Sequence, residues 1–250
     1  MKKTLALFLL LALVICLCAC GSNPEAAAVK KDFDKAVKYT ESIIDTDKMT
    51  SSVREKNDGI YLTKFWRSEN DENIMDIGLD VEVDGHIITL GKTKVSEIRD
   101  MGFEINSGFE TLKPGEAASI SIAKDGKYIP FDTDTNETDA EISIDDMTLS
   151  AFIGEVEEDT LPYSYKGFKP GSSLQEVVDA IGAPNYAASL STDSDGTRIA
   201  MDYLNESTEG DKQVAISLMM ELIYNVETDS SELVNFQIDC VYDQPEKATE

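Results

Sequence analysis

The stretch "GSSLQEVVDAIGAP", Gly171 to Pro184, decides the fold. Ser173 and Glu176 stand at the spacing of a capping box, in which each side chain satisfies a free amide at the start of a helix. Leu174, Val177, Val178 and Ile181 recur on one helical side. Gly182 suits the left-handed conformation at which helices stop, and Pro184 cannot continue one. So short a helix makes no core alone; its apolar side must cover another element. The chain beyond Pro184 supplies that element. Val214, Ile216, Leu218, Met220, Leu222 and Tyr224 recur at every second position, and Val234, Phe236, Ile238 and Cys240 alternate with Asn235, Gln237 and Asp239. "TRIAMDYLN" adds a further strand, and "STDSDG", "STEGDK" and "ETDSSE" are the polar turns between them. Period-two alternation with one polar side is the pattern of a half-buried antiparallel strand.

Upstream, "GKTKVSEIRDMG" repeats the spacing from Gly91 to Gly102, with Val95, Ile98 and Met101 on one side and Thr93 placed to cap. Before it, Met75, Ile77, Leu79, Val81 and Val83 alternate with acidic residues and glycine, and Asp84-Gly85 suits a two-residue hairpin turning into "IITL". After it come a second hairpin about Asp125-Gly126, an acidic loop "DTDTNETDAE", and strand in "EISIDDMTLSAFIGEV". The expectation is therefore an α+β fold of two similar modules, each a short helix packed on an antiparallel sheet, over 53–158 and 159–250. Ahead of them, Phe33, Val37, Thr40 and Ile44 predict an amphipathic helix over 32–52, capped by Asp32 and flanked by Lys30, Lys31, Lys35 and Lys38. Such a helix packs on its own domain, serves as a spacer, or lies on a membrane. Residues 20–31 read as a tether.

"GFKPGSSLQEVVDAIGAPNY" followed by three strands resembles a module of bacterial lipoproteins, shared by the small outer-membrane-assembly lipoproteins and the β-lactamase inhibitor protein family. The matching residues are Gly171, Ser173, Glu176, Val177, Gly182 and Pro184, within Gly167 to Tyr242. The first half matches only in outline, at Gly91, Thr93 and Gly102. The resemblance implies a tandem fold of binding or scaffolding units without catalytic residues. The motif residues build a helix and its stop, so they speak to fold and little to function.

The chain start carries an address. Lys2 and Lys3 precede an uncharged apolar run from Leu5 to Ala19, too short to span a bilayer comfortably. Leu17, Cys18, Ala19 and Cys20 then resemble the recognition stretch of a bacterial lipoprotein signal peptide, which implies a signal over 1–19, cleavage before Cys20 and a lipid on its sulfur. A plain secretory signal and an N-terminal membrane helix are the alternatives. Cys16, Cys18 and Cys20 have no further ligands near them to suggest a metal site. If Cys20 carries lipid, no internal disulfide can form, and the core must stabilise the fold unaided.

Lys and Arg total 22 against 48 Asp and Glu, a formal net charge of −26. That balance argues against nucleic-acid and anionic-lipid partners. The single histidine, His86, sits beside a turn; no phosphate-cradling glycine loop or zinc set occurs, and Cys240 falls on a core-facing position. Asp132, Asp134 and Asn136 mimic the first half of a calcium loop, but Glu137 stands where that loop needs glycine and Ser143 where it needs its bidentate glutamate. No catalytic, metal or cofactor-binding residue is expected. Tyr61, Phe65 and Trp66 in one segment, and Tyr163 and Tyr165 in another, are candidates for a contact surface or for packing between modules.

The expected function is a lipid-anchored protein on the outer face of the cell membrane that binds a protein or peptide and is not an enzyme. The alternative is a lipoprotein that binds a small ligand or cell-wall fragment. Replacing the acceptor sulfur in Cys20→Ser should leave an unprocessed precursor that no longer partitions into detergent. Unchanged partitioning would mean that an N-terminal helix holds the protein instead.

Overall fold

The computed structural model describes residues 23–69, 77–155, 157–209 and 212–243. The signal segment, Cys20 and Met75 lie outside the described residues. Among those described, the chain is mostly antiparallel sheet with three α-helices. The expected balance of helix and sheet is thus corrected toward β. A ten-stranded sheet takes in strands from both halves of the chain, in place of a separate sheet for each module.

The first helix, α1 (Pro24–Ile43), begins inside the segment expected to be a tether. Asn23 accepts from the Glu25 amide and Pro24 occupies the first turn, where a missing N–H costs nothing. Val29, Phe33, Ala36 and Thr40 are buried, so the apolar side of α1 is spent on its own domain. Its end at Ile43 gives way to β1 (Met49–Lys56), which begins inside the range expected to be helical. β2 (Tyr61–Ser68) returns antiparallel to it and then pairs with β12 (Ala187–Asp193). Residues 53–68, expected to belong to the first module, therefore join the sheet of the second half.

β3 (Asp80–Val83) and β4 (His86–Thr89) form the expected hairpin, with Asp84 at φ 47° and Gly85 at φ 81°. Positive φ at both turn residues is the type I′ geometry that follows the twist of paired strands. Asp125 and Gly126 repeat it between β7 (Ser119–Lys124) and β8 (Lys127–Thr133). The strand expected from Met75 onward is shorter than its pattern. Ile77 is buried and Leu79 half-buried, but pairing starts at Asp80. α2 (Val95–Asp100) stops at Gly102, φ 90°. Thr93 does not cap it; its hydroxyl accepts from the Thr89 amide, and the Glu97 carboxylate takes the Lys94 amide instead.

β5 (Glu104–Ser107), β7, β8 and β10 (Leu149–Glu155) make up one end of the large sheet. Short β6 (Thr111–Leu112) and β9 (Ile142–Ser143) pair beside it, and β11 (Tyr163–Ser164) adds to β3 in a separate three-stranded sheet. α3 (Leu174–Ile181) has the predicted capping box: the Ser173 amide donates to Glu176 Oε2 at 2.7 Å and the Glu176 amide to Ser173 Oγ at 3.3 Å. Four strands come after it, where three were expected: β12, β13 (Gly196–Glu209), β14 (Lys212–Asn225) and β15 (Ser230–Asp243). Leu218, Met220, Phe236 and Ile238 are buried as their alternation requires, and Cys240 is 2% exposed. A bulge where Glu221 and Leu222 face Asn235 and Leu233 shifts the phase, so Leu233 turns inward and Val234 does not.

The strand order is β1-β2-β12-β13-β14-β15-β10-β8-β7-β5. The two ends meet where β10 pairs with β15, Phe152 opposite Ile238 and Gly154 opposite Phe236. An aromatic cluster packs behind this seam. Phe152 lies 5.1 Å from Phe131, 5.3 Å from Tyr163 and 5.2 Å from Phe236 between ring centroids, and Phe236 reaches Tyr165 and Phe168. Gly154 makes room for it. A Cβ there would come within 2.7 Å of both Phe152 and Tyr163 ring carbons. Gly154→Ala should therefore destabilise the fold by roughly 1–3 kcal/mol through overpacking, read as a lower urea midpoint. An unchanged midpoint would mean that the rings yield freely and the seam is loosely packed.

Candidate functional surface

Alternation assigns each strand residue to one side of the sheet. On one side, α1 packs over β2, β12 and β13, and α3 touches β15. Leu62, Trp66, Leu190, Ile199, Met201, Tyr203 and Leu222 are buried there. The other side has no helix on it among the described residues. Strand register aligns Arg67, Ala187, Asp202, Met219, Gln237 and Ile153 in a row across six strands of this open face. A second row runs Phe65, Ser189, Ala200, Glu221, Asn235, Glu155. Apolar side chains stand out among the small and polar ones: Met219 is 44% exposed, Ile223 46% and Phe65 37%.

The β1–β2 corner of the face is basic and aromatic. The Arg54 guanidinium lies 5.2 Å from the Phe65 ring centre, the Lys56 ammonium 5.3 Å from Tyr61, and the Arg67 guanidinium 5.1 Å from Tyr186. Arg54 pairs across from Thr63 and Lys56 from Tyr61, so these side chains share the open face with Phe65 and Arg67. Farther along, Arg198 meets Glu221 at 2.7 Å.

Asp202 occupies the middle of the first row, between Ala187 and Met219. It is half-buried, and burial raises its carboxyl above the usual aspartate range.

Of the aromatic residues expected to form a contact surface, only Tyr61 and Phe65 belong to the open face. Trp66 is 1% exposed on the opposite side, donating Nε1 to Glu41 at 3.1 Å beneath the Lys64–Glu41 ion pair. Tyr163 and Tyr165 are buried in the aromatic cluster at the seam. The physical reason is parity and packing: neighbours in a strand face opposite ways, so Phe65 and Trp66 cannot share a surface. Met219 and Ile223 escape a reading by alternation because their strand carries apolar residues on both sides, and alternation marks only the regular set.

The calcium-like triad is engaged in hydrogen bonds within the acidic loop and to its neighbouring strands. Asn136 is 1% exposed; Nδ2 donates to the Leu112 and Ala140 carbonyls, and Oδ1 accepts from the Thr138 amide and hydroxyl. Asp132 accepts from Ser119 and Asp134 from Thr148. No three His, Cys, Asp or Glu side chains gather to hold a metal ion among the described residues. His86 stands edge-on to Phe103, ring centres 5.3 Å apart, at its hairpin turn.

A cleft of about 510 Å³ lies at the C-terminal end of α3, lined by Asp45, Lys48, Lys166, Gly182, Pro184 and neighbouring residues. Ser68 of the first expected module and Ile181 of the second both line it. No helix among the described residues is long and apolar enough to cross a membrane. No protein-family model matches the chain, and neither a curated protein nor a solved structure is significantly similar to it.

The raised carboxyl of Asp202 gives a stability effect of defined sign. Folding penalises its charged form, so the penalty is absent in acid and grows as pH rises from the unfolded-state pKa through the raised folded-state pKa. Asp202→Asn should raise the urea midpoint at neutral pH and leave it unchanged in strong acid. A lowered midpoint at neutral pH would show that a partner holds the carboxylate ionised.

Proposed function

We propose that this chain is a lipid-anchored protein of the outer membrane face that binds a protein or peptide on the open face of its large sheet, and that it does no chemistry of its own. The observation that carries this reading is the exposure of Phe65, Met219 and Ile223 on one face of a sheet whose other face is covered. Apolar side chains set among polar ones on a rigid frame are what a protein interface needs at its centre. The anchor rests on the stretch ending at Cys20, and the absence of chemistry on the lack of any nucleophile–base pair in the sequence. Each half contributes a short helix stopped by a positive-φ glycine and a run of antiparallel strands, which supports descent from tandem modules of the resembled kind. The second reading, a small-ligand or cell-wall-fragment binder, draws on the cleft beside α3, where Met49, Ile181, Ala183 and Pro184 stand among Asp45, Lys48 and Lys166.

The test uses the full chain in detergent as bait for proteins of its own membrane, beside a Met219→Lys, Ile223→Lys variant. Exposed positions tolerate such changes within about 0.5 kcal/mol of stability. The variant should melt as the parent does and lose capture by at least roughly 30-fold, the scale of losing an interface anchor. Equal capture by both would overturn the open face as the binding surface.

A further inference from the structure

We propose that the free edge of β1 takes up an acidic, extended peptide segment as an additional strand of the large sheet. This rests on the protein-binding reading above and gives it a second site with a stated partner chemistry.

β1 ends the strand order, so one of its two edges has no neighbour among the described residues. It is eight residues long, and every residue after Met49 is exposed. The opposite edge strand, β5, has only four residues. An edge of this length offers a row of backbone donors and acceptors that a further strand completes. The row selects a polypeptide over a phosphate or sugar polymer, because only a polypeptide carries matching N–H and C=O groups at strand spacing.

The charge of the corner selects the kind of polypeptide. In a chain with 48 acidic and 22 basic residues, the segment 48–68 reverses the balance: Lys48, Arg54, Lys56, Lys64 and Arg67 stand against Glu55 and Asp58. Lys64 is held by Glu41, whereas Arg54, Lys56 and Arg67 have no carboxylate within ion-pair distance among the described residues. Arg54 and Lys56 lie two residues apart on the open face, each stacked on an aromatic ring. An added strand presents alternate side chains to that face, so acidic residues at i and i+2 meet the two cations in turn. At physiological salt the screening length is about 8 Å, so these contacts outweigh repulsion from the distant acidic surface. A second copy is disfavoured as occupant, because antiparallel pairing of two β1 edges would bring two net-positive hairpins together. The charges that keep like copies apart thus admit an acidic strand.

The test titrates the full chain in detergent with a synthetic peptide of alternating glutamate and threonine as long as β1, and follows amide hydrogen exchange. Binding should protect alternate amides of Met49–Lys56. A peptide methylated on its edge-facing backbone nitrogens should bind about tenfold more weakly or worse. Arg54→Glu with Lys56→Glu should weaken the acidic peptide by a similar factor and admit an alternating lysine–threonine peptide in its place. Equal binding of the methylated peptide, equal binding of the lysine peptide to the parent chain, or protection of the same amides by polyphosphate would each overturn strand addition. So would protection that appears without peptide and tracks dimer formation in sedimentation. The Met219→Lys, Ile223→Lys variant should keep peptide binding. Loss of peptide binding there would assign the peptide to the open face and sink the edge proposal. A parent chain that captures membrane proteins yet ignores the peptide would end this proposal and leave the open-face reading standing.

Discussion

The pairing of β10 with β15 is the constraint on which the rest of the molecule depends. It joins two runs of strands into one sheet and places Phe152 beside Ile238 and Gly154 opposite Phe236. The aromatic rings behind it link β8, β10, β11 and β15 through contacts of 5.1–6.0 Å. The edge-to-face pairs among them, Phe131–Phe152 and Phe152–Tyr163, add about 0.5–1.5 kcal/mol each beyond the area they bury. Tyr163 and Tyr165 bring the link between the halves into the same cluster, so the connection is packed as core. Without the seam, each run of strands would present a further unpaired edge to solvent.

Joining the halves also decides where charge can go. The helices cover one side, so the opposite side displays whatever the alternate positions carry. At the β1–β2 end those are arginines and lysines stacked on aromatic rings. Toward the seam they are Asp202, Glu221, Glu155 and Asp239. The face is therefore electrically graded along the strand order, with Met219 and Ile223 flanking Glu221 on β14 in its acidic half. Such a gradient orients a partner before contact, and apolar side chains hold it afterwards.

The parts of the fold that are plain in the sequence are those where one local rule is obeyed without competition. The capping box at Ser173 and Glu176, the two Asp-Gly turns, and the alternation of β14 each follow from spacing alone. β12 is hidden because Ala187, Ala188 and Ser189 are small and carry little pattern. β1 is hidden because "MTSSVREK" is an edge strand exposed on both sides, with no buried face to impose alternation. The true start of α1 has a readable signal, since Asn23 followed by Pro24 is a capped first turn, but the alanines after it resemble a linker. The site is legible only by half. Aromatic residues mark either a surface or a core, and the register that separates Phe65 from Trp66 depends on a partner strand far away in the chain. The charge reversal of the β1–β2 hairpin is present in the sequence and gains meaning only once β1 proves to be an edge.

The pairing of Phe65 with Ser189 has a kinetic consequence. The β1–β2 hairpin is local and can close in microseconds, but its place in the sheet does not exist until β12 has formed. The seam is likewise long-range, since Phe152 must find Ile238. Loops of this size close with an entropy cost that must be met before the contacts they bring return anything. Folding is therefore slow for a chain of this length. Topology favours an order in which the local β13–β15 meander forms early and the hairpin and α1 dock on β12 late. The N-terminal end of the molecule, late to settle, is also the end nearest the segment that carries Cys20.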